Sequence, residues 1–235
     1  MNSQGLLRQW WRIGGALGIA FVILNIVGIA VQGDTPVRDD SIEEIRAYFR
    51  DDGDMYAVGD YLTGIAILFL FLPYLVTLRW VLGSGEGWPP IWSWLTVVGG
   101  VIMVALGGAG ALTFGTLALS ADNPEVDDSS VRLMVEMSTY AFTLFTLGMA
   151  LFVGSASVAI LKTGVMWRWL GGLGLLIAIL LIVGGAWPID GDEEGPLAIA
   201  GFIGAPATLL FIIISSINMI LKSEEPAPTE RAGAI

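Results

Sequence analysis

The sequence predicts an all-α integral membrane bundle of six transmembrane helices, and three observations carry that expectation. Only 14% of the 235 residues are charged while 55% are hydrophobic, whereas a soluble domain carries about 25% charged residues. The 18 residues between Asp60 and Arg79 include no charge, and a helix of that length covers roughly 27 Å, about the hydrocarbon thickness of a bilayer. Similar apolar runs recur on both sides of this one, separated by short segments rich in glycine, proline or acid.

In chain order, residues 1–12 hold Arg8, Trp10, Trp11 and Arg12 as an interfacial anchor, and 13–32 form the first span. A basic start before an apolar run also describes a signal peptide. This run, however, exceeds the 7–15 residues of a signal core, and Ala30-Val31-Gln32 is a poor cleavage site, so a spanning helix is the preferred reading. Residues 33–55 form the longest connection. Within it, Ser41 and Glu44 make a capping box, and Ile42, Ile45 and Phe49 share one face. That pattern predicts a short amphipathic helix lying at the outer membrane surface.

The second span covers 56–82, with leucines and phenylalanines at 68–72 on every side of the helix, so that it must be surrounded by lipid or by other apolar helices. A turn with Gly83, Gly85, Gly87, Trp88, Pro89 and Pro90 leads to the third span, 91–119. The acidic loop 120–130 precedes the fourth, 131–161. The fifth, 169–187, follows a basic turn, and a second acidic loop leads to the sixth, 197–221. Residues 222–235, with Pro226 and Pro228 among Glu and Ala, read as a disordered tail.

Charge sets the expected orientation. The N-terminus, the 83–90 side, the 162–168 turn and the tail share Arg8, Arg12, Arg79, Lys162, Arg168, Lys222 and Arg231, against Arg38, Arg46, Arg50 and Arg132 on the other side. The larger basic group predicts both termini inside. Of the 22 carboxylates, 16 lie in the three opposite connections at 34–54, 122–128 and 190–194, so the net charge of −11 faces outward. Trp11, Trp80, Trp88, Trp92, Trp94, Trp167 and Trp169 form an aromatic belt at the inner interface.

Cys and His are both absent. That removes disulfides, thiolates and iron–sulfur ligation, along with imidazole for haem, zinc or near-neutral proton transfer. No nucleophile with an orienting base, no metalloprotease motif and no phosphate-cradling glycine loop is present, so neither an enzyme nor a cofactor is expected. Residues 190–195 imitate the start of a calcium loop, but the twelfth position is Gly201 where a bidentate Glu is required, and the match fails. Weak divalent-cation binding across the acidic loops remains an alternative to a solvated surface. A basic patch for nucleic acid is missing.

Small residues four apart mark helix seams: Gly14 with Gly18, Gly107 with Ala111 and Gly115, Ala150 with Gly154, and Ala200 with Gly204. These seams could lie within one bundle, or against a second copy or a membrane-protein partner. Pro73 and Pro206 predict kinks in the second and sixth spans. The alternative, broken helices lining a transport site in an inverted repeat, would need a matching proline in the fifth span, which has none. Asn25, within the first span, predicts an interhelical hydrogen bond. WRIGGALG at the start of the first span and WRWLGGLG at the start of the fifth are faint copies, either shared ancestry or the common grammar of a Trp anchor before glycine.

Asp60 and Glu136 are the carboxylates nearest membrane depth. Asp60 sits at the outer N-terminal end of its helix, where the dipole favours an anion, and Arg132, Glu136 and Tyr140 share one face at four-residue spacing. The four predict either an outward polar vestibule for an ion or small polar solute, or an interfacial ion pair that orients helices.

The stretches WRWLGGLGLLIAILLIVGGAW and LVTLRWVLGSGEGWPPIW resemble parts of uncharacterised polytopic bacterial membrane proteins grouped as domains of unknown function. The resemblance implies a multi-pass protein of a prokaryotic plasma membrane and no activity or catalytic residues. The leading expectation is therefore a non-enzymatic protein of the lipid bilayer that acts through helix packing with itself or a partner. A small-solute or cation transporter is the alternative.

Overall fold

The structure, a computed structural model, describes residues 3–120, 123, 125–190 and 195–224. It is all-helical among them, with no strand. The elements are α1 (Ser3–Gln32), α2 (Ile42–Ile65), a π-helical segment (Ala66–Phe71), α3 (Leu72–Gly83), α4 (Ile91–Ser120), α5 (Asp128–Thr163), α6 (Arg168–Gly184), the short α7 (Trp187–Asp190) and α8 (Pro196–Glu224). Five helical rods are long and apolar enough to cross a membrane: Arg8–Gln32, Ile42–Gly83, Ile91–Ser120, Asp128–Thr163 and Pro196–Ser223. The sixth apolar helix, Arg168–Gly184, has 17 residues, near the lower limit for crossing a bilayer.

The separate surface helix expected in the first connection does not exist as such. Its capping box forms, with Ser41 accepting from the Glu44 N–H and Glu44 accepting from the Ser41 N–H. From that start the helix runs without a break to Gly83 as one 42-residue rod. Residues 51–55 hold no proline, and Gly53, their one weak helix former, is buried beside Ala118 of α4. The face with Ile45 and Phe49 is packed as well. It joins Tyr56, Leu117, Val131 and Val135 in a small core of its own at the end of the bundle where α2 begins, built around the edge-to-face rings of Phe49, Tyr56 and Phe114. Arg46 ties it across to α5 through Asp128 at 3.0 Å and the Val126 carbonyl at 2.6 Å.

Proline breaks neither long rod. Ahead of Pro73 the chain widens into the π segment, in which the Leu72 N–H bonds the Ile67 carbonyl five residues back, the common way a helix absorbs a local misfit. Pro206 lies inside α8, which continues through it. The start of α1 is helical from Ser3 and continuous with its span. Lys222 and Ser223 belong to the last turn of α8 instead of a tail. Residues 225–235 of the expected tail lie outside the described residues, as do 121, 122, 124 and 191–194 of the acidic loops.

α5 is the most enclosed of the rods and α4 the least. The main core lies between α3, α5, α6 and α8, where Phe71, Tyr74, Phe152 and Phe211 are all fully buried. Glycines let the backbones approach there: a Cβ added at Gly148 would meet the Met103 backbone N at 2.7 Å, and one at Gly99 would meet Phe152 Cα at 2.8 Å. No such approach is free in lipid, where close van der Waals packing drives helix association.

Candidate functional site

The four residues predicted as a vestibule are not joined to one another. Arg132 turns to the first connection and donates to the backbone carbonyls of Arg38 and of Asp40, the latter at 2.9 Å. Asp60 and Glu136 are half-buried, and Tyr140 is exposed. No hydrogen bond or ion pair engages these three among the described residues, so Arg132 and Glu136 do not form the pair their spacing allows. Arg132 acts as a clamp instead. With the Tyr48 hydroxyl donating to the Gln32 carbonyl at 2.6 Å, it pins residues 33–40 over the end of the bundle where α1 ends and α2 begins. Inside that strap the Asp40 carboxylate accepts from the Val37 N–H at 2.8 Å, and Gly33 takes the positive φ of 70° that turns the chain out of α1.

Beneath the strap lies a cavity of about 400 Å³. Thr35, Pro36, Val37 and Arg38 roof it, and Phe114 of α4 and Trp187 of α7 line it higher up. Its walls are Ser138, Thr139, Phe142 and Thr146 of α5 facing Ala198, Gly201, Phe202, Ala205 and Pro206 of α8. Phe142 and Phe202 are exposed, so the cavity opens on the flank of the bundle. Its size is that of a small-molecule site, and like such sites it is apolar with a few polar groups. α5 and α8 touch through the rings of Phe152 and Phe211 and leave the cavity between residues 138–146 and 198–206. α6 instead closes tightly on α8, where a Cβ at Gly184 would run into Gly201 and would lie 3.0 Å from the Ala200 carbonyl carbon.

Compared with known proteins, the chain matches no family model, no curated protein and no solved structure. Function must therefore be argued from the site itself.

The polar groups of the cavity are hydroxyls and one cation. Thr146 donates its own proton to the Thr143 carbonyl at 2.7 Å, while the side-chain hydroxyls of Thr35 and Thr139 have no hydrogen-bond partner among the described residues. Among the described residues Arg38 is the only charged one in the lining, and its guanidinium has no partner among them. Pro206 cannot supply an N–H to the Phe202 carbonyl, which leaves an acceptor on the α8 wall. None of the hydroxyls has a base beside it. The lining can hold an apolar body and orient a small polar end, but it offers no activated nucleophile.

The predicted seam residues are placed as follows. Gly14 faces Thr77 and Met219, Gly18 faces Tyr74 and Ser216, Gly107 faces Phe145, Gly154 faces Ala178, and Gly204 faces Leu181. Ala150 and Ala200 are buried and Ala111 is half-buried. All but one of these glycines therefore serve the bundle internally; a Cβ at Gly115 would meet nothing within 4 Å.

Sequence reasoning missed a buried polar layer in the half of the bundle away from the cavity. The Tyr74 hydroxyl and Ser215 Oγ lie 2.7 Å apart, Thr96 and Ser155 are linked at 3.2 Å, and Thr77 donates back to the Pro73 carbonyl. Asn218 is fully buried, and neither side-chain polar atom has a partner. The signal was the Ser215-Ser216-Ile217-Asn218 stretch inside an apolar span. Asn25, expected to bond a neighbour, is half-exposed, and its side chain makes no hydrogen bond among the described residues.

At the end of the bundle away from the cavity the predicted aromatic belt is paired with cations: Arg79 lies 3.9 Å over the Trp94 ring and Lys162 lies 4.9 Å over Trp92. Glu86 caps the start of α4, accepting from the Ser93 N–H at 2.9 Å and the Trp92 N–H at 3.2 Å. Burial raises its carboxyl above the usual range even so, although those N–H groups and the nearby Lys162 and Arg79 pull the other way.

Proposed function

We propose that the chain is a non-enzymatic integral membrane protein with six spans and both termini cytoplasmic, and that it holds a small, mostly apolar solute in the outer cavity between α5 and α8. The cavity carries this reading. It combines ligand-sized volume, an opening on the flank and unpartnered polar groups in a bundle otherwise packed to backbone contact. The 17-residue Arg168–Gly184 counts as the sixth span because it reaches roughly 25 Å and is flanked by Trp169 and Trp187. The excess of Lys and Arg on the side of the termini supports the orientation, and the resemblance of two inner turns to prokaryotic proteins supports a plasma-membrane location.

Two experiments test this. In a protein without native cysteine, single substitutions Asp39→Cys and Glu125→Cys should label from outside with an impermeant thiol reagent, while Gly87→Cys and Val165→Cys should not; the opposite pattern refutes the orientation. In an uncharged detergent, small apolar and amphiphilic solutes should raise the melting temperature saturably. Thr139→Trp, which fills the cavity, should abolish that shift while leaving the protein folded. An equal shift in both proteins would refute cavity binding.

A second reading has one observation in its favour. Gly108, Leu112, Gly115 and Leu119 share a face of α4 that has no protein cover: added Cβ atoms at Gly108 and Gly115 meet nothing, and Leu112 and Leu119 are 75% and 90% exposed. Packing of this face against a second copy or a membrane partner would use it. Concentration-dependent crosslinking in bilayers, lost in Gly115→Leu, would establish that reading.

A further inference from the structure

We infer that the occupant of the outer cavity is an anionic amphiphile drawn from the bilayer, whose carboxylate or phosphate is taken by Arg38 and whose apolar chain lies between α5 and α8. The inference rests on the cavity being a binding site and adds its chemistry.

Three features select this class. The walls are apolar and aromatic over most of their area, with Phe114, Phe142, Phe202 and Pro206 among them, which suits a hydrocarbon chain. The single cation of the lining is at the roof, at the outer end where a headgroup of the outer leaflet would lie. Its guanidinium is unclaimed among the described residues, although Asp34, Asp39 and Asp40 are close in sequence. Asp40 is occupied by the Val37 N–H, and Arg132 places a second positive charge against the Arg38 carbonyl. A guanidinium is the side chain best shaped to grip a carboxylate or phosphate through two parallel hydrogen bonds. Unclaimed hydroxyls of Thr35 and Thr139 add donors for the same headgroup.

The route follows from charge and shape. The outer connections hold most of the carboxylates, so a free anion in water is repelled from this end. An anion already anchored in the leaflet approaches through the flank, where Phe142 and Phe202 leave the cavity open. Below the cavity the rings of Phe152 and Phe211 and the Tyr74–Ser215 contact fill the bundle, so the chain end is held and not passed on.

Trp187, which lines the cavity, reports on it directly. The probes are 9,10-dibromostearate and its uncharged methyl ester, whose bromines quench tryptophan at short range, titrated into the full-length protein in uncharged detergent. The acid is expected to give a saturable component of quenching that disappears in Trp187→Phe. Arg38→Gln, which keeps the backbone carbonyl used by Arg132, is expected to weaken the acid at least roughly tenfold, the scale of one lost charged hydrogen bond, and to leave the ester unchanged. Thr139→Trp serves as the filling control.

Equal affinity of acid and ester, unaltered by Arg38→Gln, overturns the inference while the cavity remains a binding site. Absence of any saturable component with either probe overturns the cavity reading and the inference with it. Dibrominated phosphatidylglycerol, incorporated at increasing mole fraction in nanodiscs of phosphatidylcholine, distinguishes the sources. Quenching of Trp187 that saturates and depends on Arg38 supports a bilayer phospholipid as occupant. Arg38-dependent quenching by the free acid alone supports a single-chain amphiphile.

Discussion

Replacing Gly148 by alanine should separate the two most intimately packed rods of the bundle, whereas the same change at Gly108 or Gly115 should not. A methyl at Gly148 would lie 2.7 Å from the Met103 backbone N and 2.8 Å from its Cα, where ordinary contact begins at 3.4 Å. The shortfall is about 0.7 Å against backbone atoms, which cannot rotate away. Overpacking of this kind costs typically 1–3 kcal/mol, and the figure for Gly148 belongs at the upper end because parting α4 from α5 also loosens Gly99 against Phe152. At Gly108 and Gly115 the added methyl meets no protein atom, and alanine is the better helix former by about 0.5–1 kcal/mol in water, less within lipid. Unfolding by sodium dodecyl sulfate in mixed micelles, followed by tryptophan fluorescence, should therefore give a large loss for Gly148→Ala and no loss for Gly108→Ala or Gly115→Ala. A loss at Gly115 as large as at Gly148 would refute the reasoning, since it would mean that the bare face of α4 is packed against another chain.

The strap over the cavity should loosen when its clamp is removed: Arg132→Gln gives up charged donation to two carbonyls, each bond worth about 1.5–3 kcal/mol, and hydrogen exchange over residues 34–41 should quicken severalfold while the inner core is unaffected. Tyr74→Phe should cost less than about 1.7 kcal/mol, as interhelical hydrogen bonds in bilayers do, because Ser215 keeps its 2.9 Å bond to the Ile212 carbonyl; a double-mutant cycle with Ser215→Ala measures the coupling. Asp127 accepts from the Ser130 N–H at 2.7 Å as the cap of α5, and that bond, then the hydroxyls of Ser130 and Ser129, hold its carboxyl below the usual range. A depressed carboxyl stabilises the fold above the unfolded value, and that contribution disappears as pH falls through the folded one. The wild type should thus lose protection at the start of α5 on acidification, and Asp127→Asn, an equally good cap, should not. Asp60→Asn and Glu136→Gln should leave quenching of Trp187 by dibromostearate unchanged, since neither residue lines the cavity.

The rods were legible because nothing but length, apolarity and interruption decides them. The seams were legible only in part. Four-residue spacing of small residues finds helices able to approach, but it does not say which partner arrives. Gly14, Gly18, Gly154 and Gly204 proved to face neighbours while Gly115 faces none, and close approaches to a neighbour's backbone, at Gly99, Gly148 and Gly184, fall outside the predicted spacing. The amphipathic stretch after Ser41 was read correctly as helical with one apolar face. Its continuation into the next span was not, because the partner that buries Ile45 and Phe49 comes from α4 and α5, far along the chain. The vestibule rested on one-face spacing along α5, and the helix does present Arg132, Glu136 and Tyr140 together. What the spacing lacked was the Arg38 carbonyl, a backbone acceptor that no residue type announces. The cavity lies on an adjacent face of the same helix, where Ser138, Thr139 and Thr146 looked like unremarkable small residues.

The contrast between the two halves of the bundle decides how the cavity is to be read. A transport pathway needs polar groups and removable contacts along its whole length. Here the inner half is closed by Phe71, Phe152 and Phe211 in edge-to-face stacks, by the Tyr74–Ser215 contact, and by glycine seams with backbone against backbone. Opening it would require α3, α5 and α8 to part together, exposing the buried Thr96, Ser157 and Asn218 to one another or to water. The outer half carries the opposite design. α5 and α8 are held apart, Arg132 and Tyr48 hold the strap, and Arg38, the one charged group of the lining among the described residues, is left without a partner. A bundle that packs its floor to van der Waals contact and leaves the flank between α5 and α8 open suits the proposed retention of an amphiphile better than conduction.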